Sequence, residues 1–334
     1  MSNFRINDAI KVFVSDHIDL KKDTVDKGRG SRDWLLEQLE SMAKKTTNFP
    51  PRYPKKHKGF GSFHRSTKKR PLDDIDQLFC FSARGDMYYS EEGSTVYINM
   101  DSDNETYKHL ASTHDNTKIS SIKMVNLMVT SLDNIGQYKN TPHRNGEAAT
   151  LQASAYDWNF DIVPCFFTAA DSQGKDYYLI PDGKGNWKKT DPREDKARSS
   201  RVNQSHDGKI LQLVRIIKYW NKRQTMSTMG SYLLENMVLD YFETYSPSSI
   251  YIEHSIRDLF DYIAQAVYLP VSDPKGIQGD LNNLDWDSKN SISARAKLDS
   301  ERLKTADQYE FENPARAIKE LKAIFGDSFT GEVS

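Results

Sequence analysis

Cysteine is scarce in this chain of 334 residues: Cys80 and Cys165 are the only two. That excludes a disulfide framework and a four-ligand structural zinc site, and it fits a reducing cytosol. No run approaches the roughly 20 apolar residues of a membrane span. The opening MSNFRINDAIKVF lacks the basic flank and apolar core of an export signal. The chain therefore reads as soluble and cytoplasmic, with no membrane partner. An excess of one charge is also missing, with 46 Lys plus Arg against 47 Asp plus Glu and a net charge of -1. No whole-molecule basic field marks an obligate nucleic-acid binder, so any attraction for phosphate must be local. The eight histidines form no paired ligand motif, and neither a Gly-x4-Gly-Lys loop nor a Gly-x-Ser-x-Gly elbow occurs. P-loop and serine-hydrolase readings thus have no support.

Hydrophobic residues make up 37% and aromatics 11%, enough to bury one large core or two coupled lobes. From Ile6 to about Lys45, apolar residues recur at three- and four-residue intervals, which predicts packing helices. A proline-rich basic connector, Phe49 to Lys58, should stiffen an extended entry into the next element. Short apolar runs at 77–81, 94–100, 158–167 and 175–180 predict strands, interrupted by a helix over about 118–132. After Asn203 helical spacing dominates, which predicts a C-terminal helical lobe. The polar stretch from Pro270 to about Ser293 reads as a surface loop, and a last helix runs from Pro314 to a stop at Gly326. The division expected is residues 1–200, a catalytic lobe with N-terminal packing helices, and 201–334, a helical lobe.

The most informative stretch is GSFHRSTKKRPLDDIDQLFCF, residues 61–81. Side chains alternate along a strand, so Asp74 and Asp76 share one face while Ile75 points to the core. Two carboxylates on one face suit a divalent cation. Asp161, in the middle of the apolar run NFDIVPCFF, is the candidate for a third, because an ionised group there is costly to bury unless it meets a cation. Magnesium takes carboxylate and phosphate oxygens, and paired ions can stabilise both the attacking and leaving oxygens of a phosphoryl transfer. Gly61 lets backbone approach a phosphate, and the Ser62 hydroxyl can bond to it. From Arg52 to Arg70 there are eight Lys or Arg and no acid, a local asymmetry suited to a triphosphate. The plain alternatives are a solvated strand end and a soluble basic face.

A second group lies in the helical lobe. Lys218 sits inside the apolar pattern VRIIKYW, and Ser231 and Tyr232 follow Gly230 at a helix start. A lysine and a hydroxyl at a helix N-terminus suit phosphate, and the Tyr232 ring offers a stacking surface for a base. Equally, Lys218 could snorkel, Ser231 could be a cap and Tyr232 could be core. Cys80 and Cys165 read as small core residues.

These residues together resemble a known family. Gly-Ser followed by Asp-Ile-Asp, a distant apolar strand with a third Asp before Val-Pro, then Lys-Tyr-Trp-Asn and Gly-Ser-Tyr-Leu-Leu-Glu, are similar to the CD-NTases. These are bacterial relatives of cyclic GMP-AMP synthase in the polymerase-beta-like nucleotidyltransferase superfamily. The resemblance is firm from about Gly59 to Glu235, with Ser66 standing where many relatives have glycine. It implies an α/β (α+β) fold, a mixed sheet plus a C-terminal helical lobe with the active site in the cleft between them. It implies metal binding and catalysis by Asp74, Asp76 and Asp161 with Mg2+, for which Mn2+ can substitute. It further implies phosphate contacts from Gly61, Ser62, Lys218 and Ser231, and base stacking on Tyr232. The activity implied is condensation of nucleoside triphosphates into a cyclic di- or trinucleotide, with pyrophosphate released, in anti-phage (CBASS) signalling alongside a regulatory partner from the same defence operon. A linear-product transferase (oligoadenylate synthase-like or RNA-tailing) and an inactive nucleotide-binding regulator remain open.

Overall fold

The computed structural model describes residues 4–42, 46, 48–136, 138–223, 225–247 and 249–332. They form two compact units. One contains Lys22–His64 and Leu72–Glu194; the other contains Met1–Lys21, Arg65–Pro71 and Asp195–Ser334. The first twenty-one residues and the 65–71 segment thus join the helical unit, whereas the sequence division had grouped them with residues 1–200.

The first unit is built on one mixed sheet. Its strands are β1 (Lys58–Phe60), β2 (Asp74–Phe81), β3 (Met87–Glu92), β4 (Thr95–Met100), β5 (Tyr138–Asn145), β6 (Ala148–Ala153), β7 (Asn159–Phe167), β8 (Tyr178–Pro181) and β9 (Trp187–Thr190). The main path runs β1-β2-β7-β8-β9-β4-β3, and β6 joins β5 to β7. β2 and β7 are parallel and central, and beyond Asp76 and Asp161 both are largely apolar and buried, as strands covered on both faces are. β7 divides its far edge between β6 at one end and β8 at the other. Helix α4 (Ser121–Asp133) starts at Ser120, whose hydroxyl accepts from the Lys123 N–H, a capping bond that satisfies one orphan donor. Helix α2 (Lys22–Met42) packs closely against the start of β2: a Cβ added at Gly28 would meet Phe63 at 2.9 Å, Leu72 at 3.1 Å and Ile75 of β2 at 3.3 Å. The end of this helix expected near Lys45 lies outside the described residues.

Several expectations need correction. Gly61 and Ser62 open a five-residue helix, α3 (Gly61–Arg65), and the connector before it includes a 3-10 turn, Pro54–Lys56. β3 and β5 were missed because they are largely exposed and polar, so neither shows an apolar run. The stretch read as a loop to Ser293 ends earlier, since α9 begins at Trp286, with Asp285 accepting from the Ser288 N–H.

The second unit is helical. Helix α1 (Ile6–Phe13) runs into a π turn, Val14–Ile18. After α5 (Pro192–Gln204) come α6 (Ile210–Asn221), α7 (Ser231–Thr244), α8 (Ile252–Ala266), α9 (Trp286–Tyr309) and α10 (Pro314–Phe325). Ile6, Ile10, Phe13 and Val14 bury into one core with Ile217, Trp220, Met237, Phe260 and Phe325, which is why the start of the chain belongs here. Trp220 donates its indole N–H to Asp299 at 2.8 Å. That fully buried acid also accepts from Arg295 at 2.5 Å and Arg302 at 2.8 Å, so no buried charge is left unmatched at this point.

Candidate active site

In the sheet unit the register settles how three acids are arranged. Asp76 on β2 lies directly opposite Asp161 on the parallel β7, and Asp74 lies opposite Asn159. Registered neighbours share a face and residues two apart share a face, so Asp74, Asp76 and Asp161 all project to the same side. Ile75, Phe160 and Ile162 project to the other side and are buried. All three acids are half-buried, while Asp73 is exposed. Asp76 and Asp161 line an open cavity of about 530 Å3 with Phe60, Val163 and the turns at Asn145–Ala148 and Asp182–Lys184.

Two contacts fix this face. Gly61 has a φ of 69°, and a Cβ there would fall 2.6 Å from the Asp76 Cγ, so both its backbone conformation and its closeness to the acid require glycine. Thr150, buried on β6 and opposite Asp161, donates its hydroxyl to Asp161 Oδ1 at 2.6 Å. That bond orients the carboxylate. Oxygen-only donors on one face fit magnesium or manganese better than a soft transition metal. Ser62 lies second in α3, beside Gly61.

In the helical unit, Lys218 on α6 and Arg65 and Thr67 of the 65–71 segment meet on one acid that sequence reasoning missed, Glu235 of α7. Lys218 Nζ lies 2.6 Å from Glu235 Oε1, while Arg65 Nε and the Thr67 hydroxyl donate to Oε2 at 3.0 and 2.9 Å. The side chains of Lys218 and Glu235 are only 7% and 3% exposed. Burial would raise the Glu235 carboxyl, but Arg65 and Lys218 hold it below the ordinary range. Burial also opposes the Arg65 charge, and Glu235 outweighs it, leaving the guanidinium raised. Lys218 keeps a net depression, because burial and the nearby Arg65 and Lys68 charges exceed what the shared Glu235 returns. These directions agree physically, since one buried carboxylate is shared by two cations. The sequence did hold a signal for Glu235, a lone acid in the apolar run SYLLENMV, of the same kind that drew attention to Asp161. Thr150 left no such mark.

Ser231 opens α7 after Gly230, which makes no side-chain cap bond. Tyr232 beside it is anchored by its hydroxyl, 2.6 Å from Asp195 Oδ1 and 3.2 Å from Asp273 Oδ1. Burial and then Asp195 push its ionisation far up. Lys275 reaches the same hydroxyl and lies 4.1 Å from the ring centroid. Asp273 and Lys275 are buried, although they lie in the stretch read as surface loop. Asp273 Oδ2 accepts from the Ile277 and Gln278 amides at 3.1 and 2.9 Å, so it folds the loop on itself while holding Tyr232.

No protein-family model matches the chain. It is 43% identical over 329 residues, 97% of each chain, to a probable cyclic nucleotide synthase of Bacillus cereus strain VD146. Among solved structures, CdnC of E. coli MS115-1 with ATP superposes with a TM-score of 0.70 at 14% identity, covering 96% of this chain and 98% of that one. The cyclic AMP-GMP synthase DncV of Vibrio cholerae, a prokaryotic cyclic GMP-AMP synthase homologue, does so at 0.67 and 12%, covering 98% of each. The class defined by the mixed sheet with its added helices is the α/β polymerase-beta-like fold. Within that class, the chain belongs to the CD-NTase family, with the Bacillus cereus synthase as a full-length relative.

Proposed function

We propose that the protein condenses nucleoside triphosphates into a cyclic di- or trinucleotide and releases pyrophosphate, as a signal in anti-phage (CBASS) defence. The observation that carries this reading is the placement of Asp76 opposite Asp161 in the β2–β7 register, with Gly61 against Asp76. The likeness to a full-length probable cyclic nucleotide synthase supports it.

On this reading Asp74, Asp76 and Asp161 would hold Mg2+, or Mn2+ in its place, which would supply charge neutralisation and activation of a ribose hydroxyl. Asp161, oriented by Thr150, takes up the proton of a 2′ or 3′ hydroxyl. The freed oxygen bonds to the α-phosphorus of a second triphosphate as the bond to pyrophosphate breaks. Gly61 and Ser62 bring backbone and a hydroxyl to the phosphates. Lys218 and Ser231 neutralise and orient them, and Tyr232, its hydroxyl tethered, presents its ring to a base. A second round on the linear product closes the ring or extends it by one nucleotide. A regulatory partner from the same defence operon belongs to this proposal.

Incubation of the purified protein with labelled ATP, GTP, CTP and UTP, with Mg2+ or Mn2+, followed by phosphatase, tests the reading. Label that resists phosphatase supports the cyclic product. Phosphatase-sensitive ladders indicate a linear-product transferase, and no conversion under either metal indicates a nucleotide-binding regulator.

A further inference from the structure

The helical unit carries a second group of donor atoms, which the proposed nucleotide chemistry does not use. Glu253 and His254, in the first turn of α8, and Asp307, in the last turn of α9, each bring a donor atom within 4.8 Å of the other two. Acidic clusters are common on protein surfaces, but this one has a floor that ordinary ion pairing leaves unexplained. Glu253 is only 6% exposed, and its Oε2 is buried without a hydrogen-bond partner. A buried carboxylate oxygen without a donor is costly, and a cation is what would satisfy it.

The geometry points to a zinc-class divalent metal site formed by Glu253, His254 and Asp307. His254 Nε2 lies 3.6 Å from Asp307 Oδ2, just beyond hydrogen-bonding distance. Two donors about 2.0–2.1 Å from a tetrahedral ion lie roughly 3.4 Å apart, so these two atoms need only a slight closure to share one. A ring nitrogen with two carboxylates selects zinc or a neighbouring transition metal over magnesium, which prefers oxygen alone. The His254 and Asp307 side chains are 31% and 28% exposed, which leaves an entry path and room for a water as fourth ligand. The last turn of α9 favours a nearby cation. Arg257 is the competitor: its NH1 lies 3.6 Å from the same Asp307 oxygen and must yield when an ion binds. An ion here would pin α8 to α9, a structural role separate from the acids of the sheet.

The test uses the full chain carrying D74N and D76N, so that the sheet acids are removed from the measurement, after stripping with a chelator. One equivalent of Co2+ should give visible ligand-field absorption that Zn2+ abolishes by displacement and excess Mg2+ does not. Equimolar Zn2+ should raise the thermal midpoint, reversibly with chelator. Losing a ligand should weaken Zn2+ at least the about 10–100-fold that loss of a ligand's hydrogen-bond partner costs, so H254A should remove both signals. H254A alters a partly exposed ring and should keep the metal-free midpoint, and E253Q provides a second variant. Absence of the absorption, equal Zn2+ binding by H254A, or binding that requires intact Asp74 and Asp76 would each overturn the assignment. Should E253Q stabilise the protein while no variant binds metal, Glu253 is a buried neutral acid and the site does not exist.

Discussion

Asp161 and Glu235 each look the same in the sequence, a single acid in an apolar run, yet the two units use them in opposite ways. On the sheet, Asp161 stands beside Asp76 at the wall of an open cavity. In the helical unit, Glu235 is enclosed and takes two cations and a hydroxyl. The first arrangement gathers like charges beside a cavity; the second matches an acid with cations inside its own unit. A lone acid in a hydrophobic segment therefore marks either a site for something from outside or an internal clasp, and only the tertiary neighbours distinguish the two.

Substitutions sharpen that contrast. D76N or D161N should lower product formation at least about 10³-fold, several kcal/mol of transition-state stabilisation, with little change in the unfolding midpoint; a large midpoint loss with activity retained would reverse the assignment. G61A should approach the same loss of activity, because its methyl would overlap Asp76. E235A should do the opposite first: removing the acid strands Arg65 and Lys218 and costs about 3–5 kcal/mol of stability, measurable by denaturant unfolding. T150V keeps the strand but removes the hydroxyl that orients Asp161, and as losing the hydrogen-bond partner of a metal ligand costs about 10–100-fold in activity, the turnover rate should fall about tenfold or more.

The smallest expected effect lies away from both acids. His57 stacks on Phe79 at 4.3 Å, accepts at Nδ1 from the Cys80 N–H at 2.9 Å, and meets Glu40 through Nε2 at 2.9 Å. Burial, only partly offset by Glu40, holds its pKa below the usual value. The unfolded chain then binds the extra proton first, so stability is full above about pH 6.5 and falls as pH drops toward the depressed folded value. H57Q should flatten that slope in unfolding curves taken between pH 7 and pH 5.

The acid face was legible because alternation along a strand is local: Asp74, Ile75, Asp76 and the apolar flanks of Asp161 suffice to place the side chains. The strands β2, β4, β7 and β8 announced themselves through apolar runs. Most of what escaped was non-local or polar, although the short apolar strand β6 escaped too. β3 and β5 carry few apolar residues, α9 starts in a polar stretch, and the partnership of Arg65 with Glu235 joins residues 170 apart in sequence. The pairing of Lys218 with Glu235 spans only 17, yet it too needs the turn between α6 and α7 to be known.

The division into units has a practical consequence. The polypeptide passes from one unit to the other after Lys21, after His64, after Pro71 and after Glu194. No single cut therefore yields two self-sufficient halves: a fragment ending at Glu194 would carry Ile6, Ile10 and Phe13 with nothing to cover them, and one beginning at Asp195 would lack Arg65 and Thr67 for Glu235. Split or truncated versions should be insoluble, and tags or insertions belong in exposed turns such as Gly85 or Gly93.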